Sequence, residues 1–338
     1  MYDVYGDTTL YAVWEAYKLK LKYDANGGYF QSDATTEQTI AAESSESLSY
    51  TEPARTGYDF KGWTNSSSWS DSATKYTNAS GSKKGKDWAS TFGSDVTSSD
   101  AEVTLYAQWE KNITHTFYYF NGQSATASVI FHNGDTSKTM TIPDAARSTD
   151  KTYDGHSDWD FRGFSSETAW NSELDIGKDT TQLTISNSDS NSTYYAQYQR
   201  TTTITYVDYG DDAKQTNIQQ ETAYLNYNGG SVYSPEFKAI TQNTMKYTEN
   251  SVNGTKKETW SAIGWTTSTA QNAAAEKQAG DSIISHKDIT YYGLYKKDVT
   301  LTYNPNGGTL SKKSDSYTRY ANASNVAEAT KQTYTCLL

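Results

Sequence analysis

Cysteine is almost missing from this chain. Cys336 is the single one, so no internal disulfide bond and no multi-cysteine metal centre can form. That scarcity fits exported bacterial proteins that do not rely on disulfides. Phenylalanine and the branched aliphatics are also scarce: Phe, Leu, Ile and Val together make up about 13% of the residues, below the roughly 20% at which disorder becomes the default expectation. No apolar run is long enough to cross a bilayer, and no signal peptide or anchor is visible. A basic stripe is lacking too. The nearest approach is Lys83, Lys84 and Lys86 in a chain of net charge −11, which disfavours nucleic-acid binding.

Catalytic signatures are equally absent. There is no Gly-x-Ser-x-Gly elbow, Cys/His pair, phosphate loop or cofactor fingerprint. His115, His132, His156 and His286 have no partners at metal-ligand spacing. No catalytic, cofactor-binding or metal-ligating residue is therefore assigned, and the chain reads as non-enzymatic.

Aromatic residues compensate for the missing aliphatics. With 29 Tyr and 9 Trp, rings that each bury roughly 150 to 250 Å² can build a core. Many of them belong to one recurring stretch. VTLYAQW at Val103 to Trp109 returns as TTLYAVW at Thr8 to Trp14, NSTYYAQY at Asn191 to Tyr198 and DITYYGLY at Asp288 to Tyr295. Each copy alternates with period two, the pattern of a half-buried strand. A small residue, Ala12, Ala107, Ala196 or Gly293, sits mid-way along the inward face and leaves room for close packing. Successive closing aromatics are 95, 89 and 97 residues apart, the size of a small domain rather than of a solenoid repeat.

Other features recur in the same order. Leu19, Leu21 and Tyr23 alternate with Lys18, Lys20 and Lys22 in an opening strand that runs into Asp24-Ala25-Asn26-Gly27-Gly28, a tight turn. Later openings are Ile113, His115 and Phe117, then Thr202, Ile204 and Tyr206, then Val299, Leu301 and Tyr303. Glycine–aromatic pairs fall at 62/63, 163/164 and 264/265. Short helices are expected near Thr36 to Ser47 and at Asn272 to Ala279, the latter stopped by Gly280. The polar connection Thr64 to Asp100 is expected to be mobile in its middle.

The expected organisation is the end of a repeat at 1–16, repeats at 17–111, 112–200 and 201–297, and the start of another at 298–338. The chain is then an excerpt of something longer. Links such as Glu110-Lys111-Asn112 are too short to act as tethers, so neighbouring repeats should be nearly in contact.

The ordered set of an Asn-Gly-Gly hairpin, RTGYDFKGW and VTLYAQW resembles the internalin-type B repeat, or Listeria/Bacteroides repeat, of bacterial surface proteins. Tyr17 to Lys111 carries it best. The second repeat has Phe164 where Trp is usual, and the third lacks the Arg-x-Gly-Tyr lead-in. The resemblance implies a mainly β fold with minor α (α+β), built of tandem β-grasp-like domains in an elongated, monomeric array. It also implies an extracellular, cell-wall-associated setting in mostly Gram-positive bacteria, where such repeats act as spacers or weak adhesive modules.

Two further readings accompany the spacer. One is an adhesin gripping glycan or host protein through Trp63, Trp265 and the recurrent Tyr11, Tyr106, Tyr195 and Tyr292. By strict alternation Trp63 falls on the face opposite Phe60, so it fills either a second packing surface or an exposed platform. The other is an accessory region of a secreted glycan-active enzyme. Asp24, Asn26 and Gly28 suggest turn chemistry rather than a calcium loop, and Asp208, Asp211 and Asp212 suggest at most weak cation binding at a hairpin tip. Lysine crosslinks from Lys18, Lys20 or Lys22 are disfavoured by their outward positions.

Overall fold

A computed structural model describes residues 6–77, 82–93, 96, 101–147, 151–251 and 254–326. The fold is mainly β, with a single α-helix among the described residues. The chain gathers into two compact units. One comprises residues 1–116, 126–143 and 180–193, the other 117–125, 144–179 and 194–338.

In the first unit, β1 (Lys18–Asp24) pairs antiparallel with β2 (Glu37–Ala41), and β3 (Asp59–Thr64) pairs antiparallel with the long strand β4 (Ala101–Tyr119). β1 also runs parallel to β4, with Leu21 opposite Val103. The helix α1 (Gly85–Thr91) covers one side, its Trp88 and Ala89 buried against Leu19, Leu21 and Ile40. β5 (Gln123–His132) folds back on β4. Two short strands, Ser137–Thr141 and Gln182–Ser186, pair over a smaller core of Ile113, Phe131, Met140 and Ile185.

The second unit reuses the same pairings. β6 (His156–Ser165) is antiparallel to β7 (Ser192–Gly210), which forms a hairpin with β8 (Ala213–Asn226). β9 (Gly254–Thr266) is antiparallel to β10 (Ile289–Thr302), and β10 forms a hairpin with β11 (Ser314–Asn322). β7 and β10 run parallel, Ile204 opposite Ile289, as β1 and β4 do. Asp211 and Asp212, both at positive φ, close the β7–β8 hairpin; short polar side chains tolerate that conformation best after glycine.

One local device recurs three times. In β3, β6 and β9 a bulge falls just before the Gly–aromatic pair, so Phe60 and Gly62 pair with the adjacent residues Trp109 and Gln108, and Trp63 comes to face Ala107. The same register sets Phe164 against Ala196 and Trp265 against Gly293. The extra residue turns Trp63 onto the side of Phe60, with ring centroids 5.2 Å apart. Strict alternation is thereby corrected: the two rings share a face. The small residue in each closing strand is what the large ring packs on.

Glycine at the bulge is required twice over. Gly62, Gly163 and Gly264 have φ of 115°, 145° and 120°, and a Cβ at Gly163 would lie 2.2 Å from the Ile176 carbonyl oxygen.

Several expectations change. Residues 7–17 form no strand, and Trp14 is 89% exposed, because no described strand offers that segment a ladder partner. Residues 1–5 of the same expectation lie outside the described residues. Thr36 to Ser47 is not helical: it forms β2 and the short strand Ser45–Glu46, since pairing with β1 buries Ile40. Asn272 to Ala279 is not helical either, as Glu276 and Lys277 donate backbone bonds to the Trp265 carbonyl. The helix lies instead at Gly85–Thr91, inside the long polar connection, where the Trp88 Nε1–H donates to the Glu46 carbonyl. The mobility expected of that connection falls in part on residues 78–81, 94–95 and 97–100, outside the described residues. The short links are part of continuous strands: Glu110-Lys111-Asn112 lies within β4, and Lys296-Lys297-Asp298 within β10.

Gly163→Ala should cost about 2 kcal/mol or more, from backbone strain and overpacking together. Gly134→Ala, also at positive φ but with open space around it, should cost only about 1 kcal/mol. Urea unfolding of both variants provides the comparison.

Candidate functional site

Three of the four recurrent closing aromatics, Trp109, Tyr198 and Tyr295, are buried in like surroundings, whereas Trp14 is exposed. The Trp109 Nε1–H donates to the Ala25 carbonyl at 2.9 Å, the Tyr198 hydroxyl accepts from the Phe120 amide at 3.2 Å, and the Tyr295 hydroxyl accepts from the Tyr209 amide at 2.8 Å. Each closing strand thus ties its last ring to the end of the opening strand of its own repeat, or to the turn that follows it. Tyr295 additionally donates to the buried carboxylate of Asp208, which also accepts from the Asn243 amide. Burial is the main cause that raises the hydroxyl pKa of Tyr23, Tyr198 and Tyr295, and it pushes Tyr206 up to about 12.

Of the aromatics that sequence singled out for binding, the two tryptophans are core residues. Trp63 and Trp265 are fully buried. Trp63 packs with Tyr23 and Tyr50, Trp265 with Tyr206, and Phe164 takes the equivalent place against Phe117 and Phe161. Tyr106, Tyr195 and Tyr292 are half-buried, and Tyr11 is exposed on the strandless segment. Gln108 and Gln197, expected to face outward, are buried as well. Each donates to a carbonyl of the loop after the Gly–aromatic pair, Ser66 and Ala169 respectively.

The polar candidates are also engaged in structure. Asn26 forms the expected turn, its amide bonded to the Asp24 carboxylate, and its Nδ2 donates to the Ser67 and Ala107 carbonyls. Asp208 is buried beside Tyr295, whereas Asp211 and Asp212 both pair with Lys257 and Asp212 also bonds Thr248, so Asp208 serves different partners from the other two. Among the described residues no group of three or more His, Cys, Asp or Glu is placed to hold a metal ion. Lys20 pairs with Glu37 at 2.8 Å and Lys22 with Glu102. His115 is buried, its Nδ1 accepting from the Ser192 amide.

One Ser/His/Asp constellation escaped the sequence reading because its members are far apart in the chain. Ser234 Oγ lies 2.9 Å from His286 Nδ1, and Asp154 Oδ2 lies 3.0 Å from Nε2. Lys287 also binds Asp154, at 2.7 Å, and with His286 holds its carboxyl below the usual range. Through its two ring nitrogens His286 thus links Ser234 to Asp154.

Open grooves of the first unit include two larger ones. One of 560 Å³ is bordered by Asp24, Tyr29 and Phe30 together with Lys22 and Glu37, whose charges are already paired. The other, of 400 Å³, is bordered by Asn26, Arg55, Ser67 and Asn133.

A protein of Evansella cellulosilytica, provisionally named as a Gly-rich membrane protein, is 30% identical over 126 residues, 37% of this chain. The chain spans 12% of that relative's length. No family model and no solved structure matches the chain. No helix among the described residues is long and apolar enough to cross a membrane.

The buried tyrosines set an alkaline limit. A tyrosine in the unfolded chain ionises near pH 10, whereas these stay neutral in the fold to higher pH. The stability they contribute is complete below pH 10 and is lost as pH rises toward 12. Phenolate absorbance should show a fraction of the tyrosines ionising only together with the loss of circular dichroism.

Proposed function

We propose that this chain is a non-catalytic tandem-repeat segment of a bacterial cell-surface protein, a spacer that holds a functional region away from the envelope. In this reading 17–111, 112–200 and 201–297 are β-grasp-like repeats in an elongated array, with parts of further repeats at 1–16 and 298–338. The observation that carries it is strand continuity: the closing strand of one repeat and the opening strand of the next are a single strand in β4, β7 and β10. A repeat joined to its neighbour by continuous strand has no slack to fold back, which suits reach better than capture.

The sequence resemblance to internalin-type B repeats supports the same role, as does the acidic, polar composition. An adhesive platform built on Trp63 and Trp265 would need those rings at the surface, and both are fully buried.

Small-angle X-ray scattering on the full chain tests the reading. Three small domains in a row span on the order of 100 Å, for a radius of gyration of about 30 Å, whereas a single globule of this length would give about 20 Å. A value near the lower figure would remove the spacer interpretation.

A further inference from the structure

The position two residues after three of the four closing aromatics is a cation: Lys111 after Trp109, Arg200 after Tyr198, Lys297 after Tyr295, with Ala16 after Trp14 the exception. Each sits over a ring five residues before the aromatic of the Gly–aromatic pair of the same repeat. Lys111 Nζ is 5.9 Å from the Tyr58 centroid, the Arg200 guanidinium 5.9 Å from that of Trp159, and Lys297 Nζ 5.8 Å from that of Trp260.

From that seat two of the cations reach forward to the same place in the next repeat, the turn just before its closing strand. Lys111 donates to the carbonyls of Asn187 and Asp189, at 2.8 and 2.7 Å. Arg200 donates to the His286 carbonyl and to the Asp288 carboxylate, and also pairs with Asp158 on its own side. Its side chain is almost completely buried, at 1% exposure, so its charge is held by these partners rather than by solvent. The third cation, Lys297, pairs with Glu249 and Glu258.

Three more contacts repeat around the cation. The amide five residues after the closing aromatic, Thr114 or Thr203, donates to the first side chain of the next closing motif, Asn191 or Asp288, at 2.9 and 2.8 Å. Asparagines at the end of the next hairpin, Asn133, Asn226 and Asn322, each donate Nδ2 to a carbonyl of the loop after the preceding Gly–aromatic pair, at Ser67, Thr168 and Ser268. The tryptophan six residues after that pair stacks on a ring of the next repeat: Trp69 on His132 at 3.9 Å, Trp170 on Tyr224 at 5.8 Å.

We infer that these residues form a specific interface between consecutive repeats, a cation and ring on one copy received by an Asx-bearing turn on the next, and that it fixes their relative orientation. The preferred partner of such a repeat is another repeat of the same kind, since 112–200 and 201–297 each carry the cation at the end and the receiving turn before the last strand. The use of that rigidity rests on the spacer reading, whereas the interface itself does not. Sequence variation within the chain defines what it tolerates: Lys replaces Arg at the cation, and Asn replaces Asp at the acceptor.

Double electron–electron resonance on the full chain tests this, with spin labels at Asp179→Cys and Ile218→Cys in a Cys336→Ser background. The starting protein should give one narrow distance distribution. Arg200→Ala and Asp288→Ala should each broaden it roughly twofold, while Arg200→Lys and Asp288→Asn keep it narrow. Arg200→Ala as narrow as the starting protein, or Asp288→Asn as broad as Asp288→Ala, would overturn the inference. If Arg200→Ala fails to fold, the Asp288 pair decides. A compact scattering radius would sink the spacer reading and leave these comparisons intact.

Discussion

The architecture depends on a single backbone constraint, the bulge that a glycine at positive φ permits in β3, β6 and β9. By inserting one residue it turns Trp63, Phe164 and Trp265 onto the face of the closing strand's small residue, where Ala107, Ala196 and Gly293 receive them. No other residue type meets both demands at the bulge, because the conformation is left-handed and a neighbouring strand or loop fills the space a Cβ would need. Remove the bulge and alternation would send Trp63, Phe164 and Trp265 to the other side of the sheet.

Around that ring the chain builds cores with few aliphatic residues. Trp63 lies within about 5 Å of Tyr23, Tyr50 and Phe60, and Phe60 reaches Trp109 at 5.7 Å. Tilted and edge-on pairs of this kind contribute roughly 0.5 to 1.5 kcal/mol beyond the area they bury. The polar tips of the closing aromatics then serve a second purpose, bonding the backbone near the opening turn. A Trp and two Tyr are interchangeable there because donor and acceptor both find a backbone partner.

Period two was legible in the sequence wherever one face of a strand met the core and the other met water, as in β1. It failed where a neighbour covered both faces, as at Gln108 and Gln197, and where a bulge broke the count. The two expected helices failed for another reason: short polar stretches carry little intrinsic preference, so hydrogen bonding to β1 and to the Trp265 backbone decided them. The helix at Gly85–Thr91 lay hidden because its apolar signal is a single pair at helical spacing, Trp88 and Phe92, in an otherwise polar stretch. The cations after the closing aromatics were visible as a repeated position, but their ring seats and forward acceptors are far away in the chain.

What the sequence determined by itself was local and periodic: alternating strands, turn residues that accept positive φ, and the recurrence of one strand motif at near-constant intervals. Only the tertiary structure decided which face each tryptophan occupies, which polar stretch becomes helix, and that strands run unbroken through the expected links. The physical reason is range. Alternation and turn propensity act over a few residues, whereas ladder bonds, bulge register and cation–ring contacts join groups tens of residues apart.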